Sequence, residues 1–190
     1  TETQPLVTST TKSIKVTNQQ EDKESGIDEA KTRYRLTDEN GGSGEWQTTD
    51  EFEGLIANKT YYVQTQATDN VGNSRDSKVI SIKTESIPEM KEENTNIQTS
   101  NSNWTKEDVI VEVTTSVTGY ELQTKIGEKG IWSNKTTITL TENDTIYVRL
   151  TDGVNVGNEL SKEINNIDKT TPTETQPLVT STTKSIKVTN

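Results

Sequence analysis

The sequence predicts an all-β chain made of two tandem Greek-key β-sandwiches. Three observations carry that prediction. Apolar residues alternate with polar ones in short runs divided by Asn/Gly turns. Threonine, whose branched β-carbon suits a pleated, half-exposed surface, supplies 35 of the 190 residues. No stretch of ten or more residues carries a helical apolar period or a heptad. The hydrophobic content of 26% is low enough to raise disorder as the competing reading. The alternation favours thin sandwiches with polar outer faces.

The domain plan comes from a repeat. Residues 173–190 read TETQPLVTSTTKSIKVTN, the same eighteen letters as residues 1–18, at an offset of 172. Within that period Tyr34 and Trp46 recur as Tyr120 and Trp132, each displaced by 86. Gly72-Asn73 recurs as Gly157-Asn158, displaced by 85. The expected division is residues 1–86 and 87–172 as two related sandwiches, with 173–190 beginning another copy. A chain that starts and ends inside such a repeat is expected to be a piece of a longer tandem array.

The elements follow in order. Thr1 to Pro5 is a polar linker whose proline suits the start of an edge strand. Leu6–Thr10 and Ser13–Thr17 are predicted strands, the second with Ile14 and Val16 on one face. Gln19–Asp28 is a charged loop, and Thr32, Tyr34 and Leu36 alternate on the next strand. Asn40-Gly-Gly-Ser-Gly44 is a turn, since Asn and Gly accept positive φ cheaply, and a short strand follows at Trp46. Phe52 and Leu55 lead into Tyr61–Ala67, which places Tyr61, Val63, Thr65 and Ala67 on one side. A turn at Asp69–Asn73 and a closing strand at Val79–Thr84 complete the first half.

Glu85–Glu93 reads as a linker. The second half is expected to repeat the plan with strands at Thr95–Thr99, Asp108–Val113, Gly119–Ile126, Gly130–Trp132, Thr136–Thr141, Thr145–Thr151 and Leu160–Ile167. In the sixth of these, Ile146, Val148 and Leu150 face one way, and Tyr147 and Arg149 the other.

Composition narrows the chemistry. The formal net charge of −10 divides into −5 for residues 1–86 (10 basic, 15 acidic), −6 for 87–172 (8 and 14) and +1 for the last eighteen (2 and 1). No basic patch is present to hold a phosphate backbone, so nucleic acid is a poor partner. Without cysteine or histidine, thiol chemistry, imidazole acid–base catalysis and Cys/His zinc sites are excluded. No apolar run approaches the roughly 20 residues of a membrane-spanning helix. Paired carboxylates at glycosidase separations, about 5–9 Å, need a substrate cleft. Halves of this size, without long loops, are not expected to supply one, so no catalytic residue is assigned.

The run from Tyr34 through Trp46 and Leu55 to Tyr61-Tyr-Val-Gln-Thr-Gln-Ala-Thr-Asp-Asn-Val-Gly-Asn73 resembles a fibronectin type III-like module of bacterial surface proteins. In that family a leucine six residues before a tyrosine, here Leu55 and Tyr61, marks a tyrosine corner whose hydroxyl bonds nearby backbone. The second half, with Tyr120, Trp132, Ile146–Asp152, Gly157-Asn158 and Asn166–Pro172, resembles the immunoglobulin-like repeats of large Gram-positive cell-wall proteins. The resemblance implies an immunoglobulin-like fold, an extracellular location at the cell surface or wall, and a non-enzymatic spacer or stalk role. The alternative it leaves open is an adhesive module gripping a host glycoprotein or polysaccharide. Two departures are visible. The second strand lacks the tryptophan of animal fibronectin modules, and no Arg-Gly-Asp is present.

Candidate sites follow. Asp69, Asn70, Asn73 and Asp76 in one turn, and Asp152, Asn155 and Asn158 in another, offer oxygens of the kind calcium prefers; Glu85, Glu89 or Asp168 at a junction would add to them. The competing reading is an Asx-bonded turn. Tyr34, Trp46, Leu55, Tyr61, Tyr120 and Trp132 are assigned to the structural core. On that assignment Trp46→Ala and Trp132→Ala would each cost about 3–5 kcal/mol. A sugar-stacking platform is the alternative for the aromatics, with Trp104 the one lacking a counterpart in the first half. The expected partners are neighbouring repeats of the same chain. Residues 173–190 are also expected to fray or to exchange, head to tail, with residues 1–18 of another chain.

Overall fold

The computed structural model describes residues 3–175, 178–181, 184 and 186–189. Thr1 and Glu2 of the expected linker, and 176–177, 182–183, 185 and 190 of the repeated segment, lie outside the described residues. The chain forms two all-β sandwiches in tandem, followed by a hairpin.

In the first sandwich, β1 (Leu6–Ser9) and β2 (Ile14–Thr17) pair as an antiparallel hairpin with Val7 opposite Val16. The turn between them closes because the Thr10 hydroxyl accepts from the Lys12 and Ser13 N–H groups, at 3.2 and 2.9 Å. β2 then pairs through Ile14 and Lys15 with β4 (Glu51–Phe52). The facing sheet is built on β5 (Thr60–Thr68), flanked on one side by β3 (Arg33–Thr37). Its other neighbour is split into β6 (Ser74–Asp76) and β7 (Ile80–Lys83). Ser77 marks the break: its N–H donates to Thr65 O while its hydroxyl oxygen accepts the Thr65 N–H. Alternation sets the core as expected, with Ile14, Val16, Val63 and Thr65 fully buried and Leu55 and Phe52 beside them.

The second sandwich comprises β8 (Thr95–Thr99), β9 (Val109–Thr115), β10 (Glu121–Ile126), β11 (Thr137–Leu140), β12 (Asp144–Thr151) and β13 (Leu160–Ile164). One sheet runs β11-β9-β8 and the other β10-β12-β13. Its core is an aliphatic interleaving of Val109, Val111 and Val113 with Ile146, Val148 and Leu150. In both halves the sheet orders correspond to strands A, B, E against C, F, G of an immunoglobulin-like sandwich.

Two predicted strands and one predicted turn change character. Around Trp46 and Trp132 only isolated bridges form, Tyr34 to Gln47 and Thr124 to Ser133. β6, read from composition as part of a turn, is a strand because the largely buried C-terminal end of β5, Gln66–Thr68, needs a partner for its backbone groups. Last, β14 (Leu178–Ser181) and β15 (Ile186–Thr189) pair in the same register as β1 and β2. Among the described residues no helix is long and apolar enough to cross a membrane.

Candidate functional site: the joint between the sandwiches

The most organised polar site lies where the two sandwiches meet. It starts from the β12–β13 turn, Thr151 to Asn155. Asp152 Oδ1 accepts the N–H groups of Val154 and Asn155, at 2.9 and 2.7 Å, and the Thr151 hydroxyl donates to Asn155 O at 2.6 Å. The turn is therefore closed by its own side chains, and the remaining polar atoms face the first sandwich.

Those atoms find partners there. Asp152 Oδ2 accepts the hydroxyl of buried Thr11, and Asp152 O accepts Lys12 Nζ at 2.7 Å. The Asn155 amide bonds three backbone groups. Its Oδ1 accepts Ala57 N–H at 3.0 Å, and its Nδ2 donates to Leu55 O at 3.0 Å and Thr11 O at 3.2 Å.

The acceptor side is just as fixed. The Tyr61 hydroxyl accepts Ile56 N–H at 2.9 Å, and the Thr84 hydroxyl donates to Ile56 O at 2.7 Å. With Leu55 anchored in the core, both peptide groups flanking Ile56 are held, and Leu55 O and Ala57 N–H are aimed at Asn155. The tyrosine-corner bond thus supports the joint as well as its own sandwich.

The connecting segment is also tied down. Ile87 packs on the second core and Met90 enters it at 2% exposure. The Asn158 amide clamps Met90 on both sides, accepting its N–H at 2.8 Å and donating to its carbonyl at 2.9 Å.

The Asp152 carboxylate is held down to a pKa of about 2. Partial burial pushes it upward, but bonds from Asn155 N–H, the Thr11 hydroxyl, Val154 N–H and the Asn155 amide outweigh that. An open cleft beside the joint, lined among others by Lys12, Glu51, Glu53, Glu85 and Tyr120, is exposed to solvent.

The other candidate oxygens are placed as follows. Asp69 Oδ1 accepts Val71 and Asn73 N–H groups at 3.0 and 2.8 Å, and Oδ2 accepts Asn73 Nδ2 at 2.7 Å, a closed Asx turn. These bonds lower the Asp69 pKa, the Asn73 side chain foremost. Asn70 donates to Ser25 O at 2.7 Å. Asp76 lies apart on β6, accepting from Gln66 Nε2 at 2.9 Å and 3.9 Å from Arg35. Asp152 and Asn158 turn to different partners, Glu89 pairs with Lys91 at 3.4 Å, and Asp168 bonds Thr170. Among the described residues no group of three or more acidic side chains is arranged to hold a metal ion.

Two core assignments are corrected. Trp46 and Trp132 belong to neither hydrophobic core; each is half-buried under cationic side chains on the outer face of its sheet. Arg35 lies 4.2 Å above the Trp46 ring, steered by Gln64 Oε1 and Gly41 O. Trp132 carries Lys125 at 4.7 Å and Arg149 at 4.1 Å. Leu55 is buried, and Tyr34, Tyr61 and Tyr120 pack at the core margins. Trp104 stands 72% exposed in the β8–β9 loop.

The spacing of Tyr34 and Tyr120 does not reflect structural equivalence. The residue that bridges to the position after the tryptophan is Tyr34 in one half and Thr124 in the other. The genuine 86-residue correspondence is Gly-x-Trp, Gly44-Glu-Trp46 and Gly130-Ile-Trp132. A Cβ on Gly44 would sit 1.8 Å from Leu36 O, and one on Gly130 would sit 2.0 Å from Ile126 O. Only glycine lets the returning chain pass that carbonyl and lay the indole over Arg35 or Lys125. This signal was present in the sequence as a repeated glycine two residues before each tryptophan. The asparagine clamps had no comparable signal, because nothing local distinguishes Asn155 or Asn158 from other turn asparagines.

No protein-family model matches the chain, and no curated protein matches it. Solved structures are similar in fold at low identity. Murine CEACAM1b is 8% identical, with 85% of this chain and 99% of that chain covered and a TM-score of 0.37. A two-domain fibronectin type III segment of chicken tenascin is 15% identical, with 86% and 98% covered and a TM-score of 0.32. The fibronectin(III)-like modules of Clostridium thermocellum CbhA are 14% identical, with 85% and 88% covered and a TM-score of 0.30.

Proposed function

We propose that this chain is a non-enzymatic spacer: a 172-residue unit, halved near residue 86, that repeats head to tail in the stalk of a bacterial cell-surface protein. Its work is to hold another domain away from the wall. The observation that carries this reading is the joint. A stalk transmits position only if its domains keep a fixed angle; Asp152 binds the first sandwich through the Thr11 hydroxyl, and Asn155 through Leu55 and Ala57 backbone groups that are themselves pinned. The even negative charge of the two halves disfavours self-association and fits the same role. Small-angle scattering of the intact chain tests it. A spacer gives one elongated profile that is unchanged from low to high salt, whereas a profile requiring a broad spread of interdomain angles would refute it.

A second reading, an adhesive module for a host glycoprotein or polysaccharide, is favoured by one feature, the exposed indole of Trp104. A glycan and matrix-protein screen separates the two. Micromolar binding abolished by Trp104→Ala would replace the spacer with the adhesin.

A further inference from the structure

We propose that the open edge of β11 in the second sandwich takes up an extended acidic peptide of a partner protein as an added antiparallel strand. The inference rests on backbone groups and side chains in the body of that sandwich, and it stands whether or not the chain serves as a stalk.

In each half the three-stranded sheet stops at strand E, β4 or β11, where a constant-type immunoglobulin sandwich adds strand D. The two halves finish that edge differently. In the first, Val16 N–H donates to Asp50 O at 2.8 Å, so Thr49 and Glu51 turn their backbone groups outward. Gln47 covers the two carbonyls, its Nε2 donating to Thr49 O at 2.8 Å and to Glu51 O at 3.0 Å. In the second, Val113 N–H donates to Thr136 O at 2.8 Å, and alternation along β9 and β11 aims the N–H and C=O groups of Thr137 and Thr139 outward. Serine stands in the place of Gln47, at 133, and has no amide to donate. The Thr124 hydroxyl takes Lys135 O at 2.6 Å, but among the described residues β11 has no strand on that side. Such an edge is a template for another strand.

The ground beside the edge selects the strand. A cleft of about 520 Å³ opens there, lined by Ile126, Ile131 and Ile138, by hydroxyl residues, and by Lys125 and Lys135, with no acidic residue. The cleft at the joint, by contrast, has four acidic residues and one lysine. Ile131 is 90% and Ile126 41% exposed. Lys125 is paired with Glu159 at 3.3 Å, whereas exposed Lys135 forms no ion pair among the described residues. On the adjoining turn Glu128 and Lys129 offset one another. This strip fits a strand that alternates apolar and acidic residues, with main-chain bonds to Thr137 and Thr139, apolar side chains on the isoleucines and a carboxylate near Lys135. At the joint, Glu51 and Glu53 of the first sandwich, the counterparts of Thr137 and Thr139, face an open cleft and make no bond to the second sandwich among the described residues. A neighbour seated in that way leaves the edge accessible.

The probe is a heptapeptide alternating valine and glutamate, blocked at both ends and titrated into the intact chain. In the free chain the Thr137 and Thr139 amide protons should exchange as unprotected groups. Saturating peptide should slow both by about tenfold or more and move their resonances. The valine–lysine counterpart should bind about tenfold more weakly. Lys135→Glu, at an exposed position, should weaken the glutamate peptide by about threefold or more. The same peptide methylated at every backbone nitrogen keeps its charge and side chains but cannot donate to the edge, and should leave both amides unchanged. No perturbation of the two amides at millimolar peptide overturns the proposal. So does equal binding of the methylated peptide, equal binding of the lysine peptide, or an affinity unchanged by Lys135→Glu.

Discussion

Replacing Asn155 by alanine removes one of the side chains that join the sandwiches while leaving the turn backbone, which Asp152 and Thr151 hold independently. Three bonds across the joint disappear, to Ala57 N–H, Leu55 O and Thr11 O. A hydrogen bond of this kind contributes a net 0.5–1.5 kcal/mol, and the two bonds at Nδ2 divide one amide group between them. Water reaches the freed groups as the joint loosens, so no full desolvation penalty is added. The loss is about 2 kcal/mol, roughly a 25-fold fall in the preference for the docked arrangement at 1.4 kcal/mol per tenfold. The diagnostic is transfer between domains. Urea unfolding followed by amide resonances of β2 and β9 should show the first sandwich losing about 2 kcal/mol from a change made in the second. If the β2 midpoint stays within about 0.3 kcal/mol of the parent, the margin for uncoupled sites, the joint bonds contribute nothing net and the rigid-joint reasoning fails.

Ile14→Ala should cost about 2–4 kcal/mol, while Ile186→Ala, the same residue in the same local sequence, should change chemical denaturation by less than about 0.3 kcal/mol. Trp46→Ala and Trp132→Ala should each cost about 1–2 kcal/mol, the scale of a half-buried ring under a cation rather than a core aromatic; Trp132, with two cations, should cost more, as denaturant titration will show. The Asp152 carboxylate has its pKa lowered from 3.8 to about 2, so its contribution to the joint is complete above 3.8 and is lost as pH falls through about 2. Scattering profiles should broaden over that acid window, and Asp152→Asn, which has no such proton to take up, should remove the pH dependence.

Much of the fold was legible because strand alternation is a local property. Ile14 and Val16, or Ile146, Val148 and Leu150, announce a buried face by spacing alone, and each is fully buried. The tryptophans were misassigned for a related reason. Recurrence of an aromatic at a fixed offset reveals that it packs, while the face it packs on depends on the register of Gln47 against Tyr34 and of Ser133 against Thr124. The joint was legible only as turn chemistry. Asp152 and Asn155 look like Asp69 and Asn73, which close their own turn and reach no neighbouring sandwich.

The two copies of the eighteen-residue segment separate local from tertiary control within one molecule. Local sequence by itself determines that Leu6–Ser9 pairs with Ile14–Thr17 and Leu178–Ser181 with Ile186–Thr189, valine facing valine in each, because β-propensity acts over a few residues. It does not determine burial. The same isoleucine is fully buried at 14 and 71% exposed at 186, since burial requires apolar surface delivered from distant chain, from Phe52, Leu55 and Val63. Asn155 obeys the same division. Its turn is written locally, whereas its partners at 11, 55 and 57 lie about a hundred residues or more away and become partners only when two finished sandwiches meet.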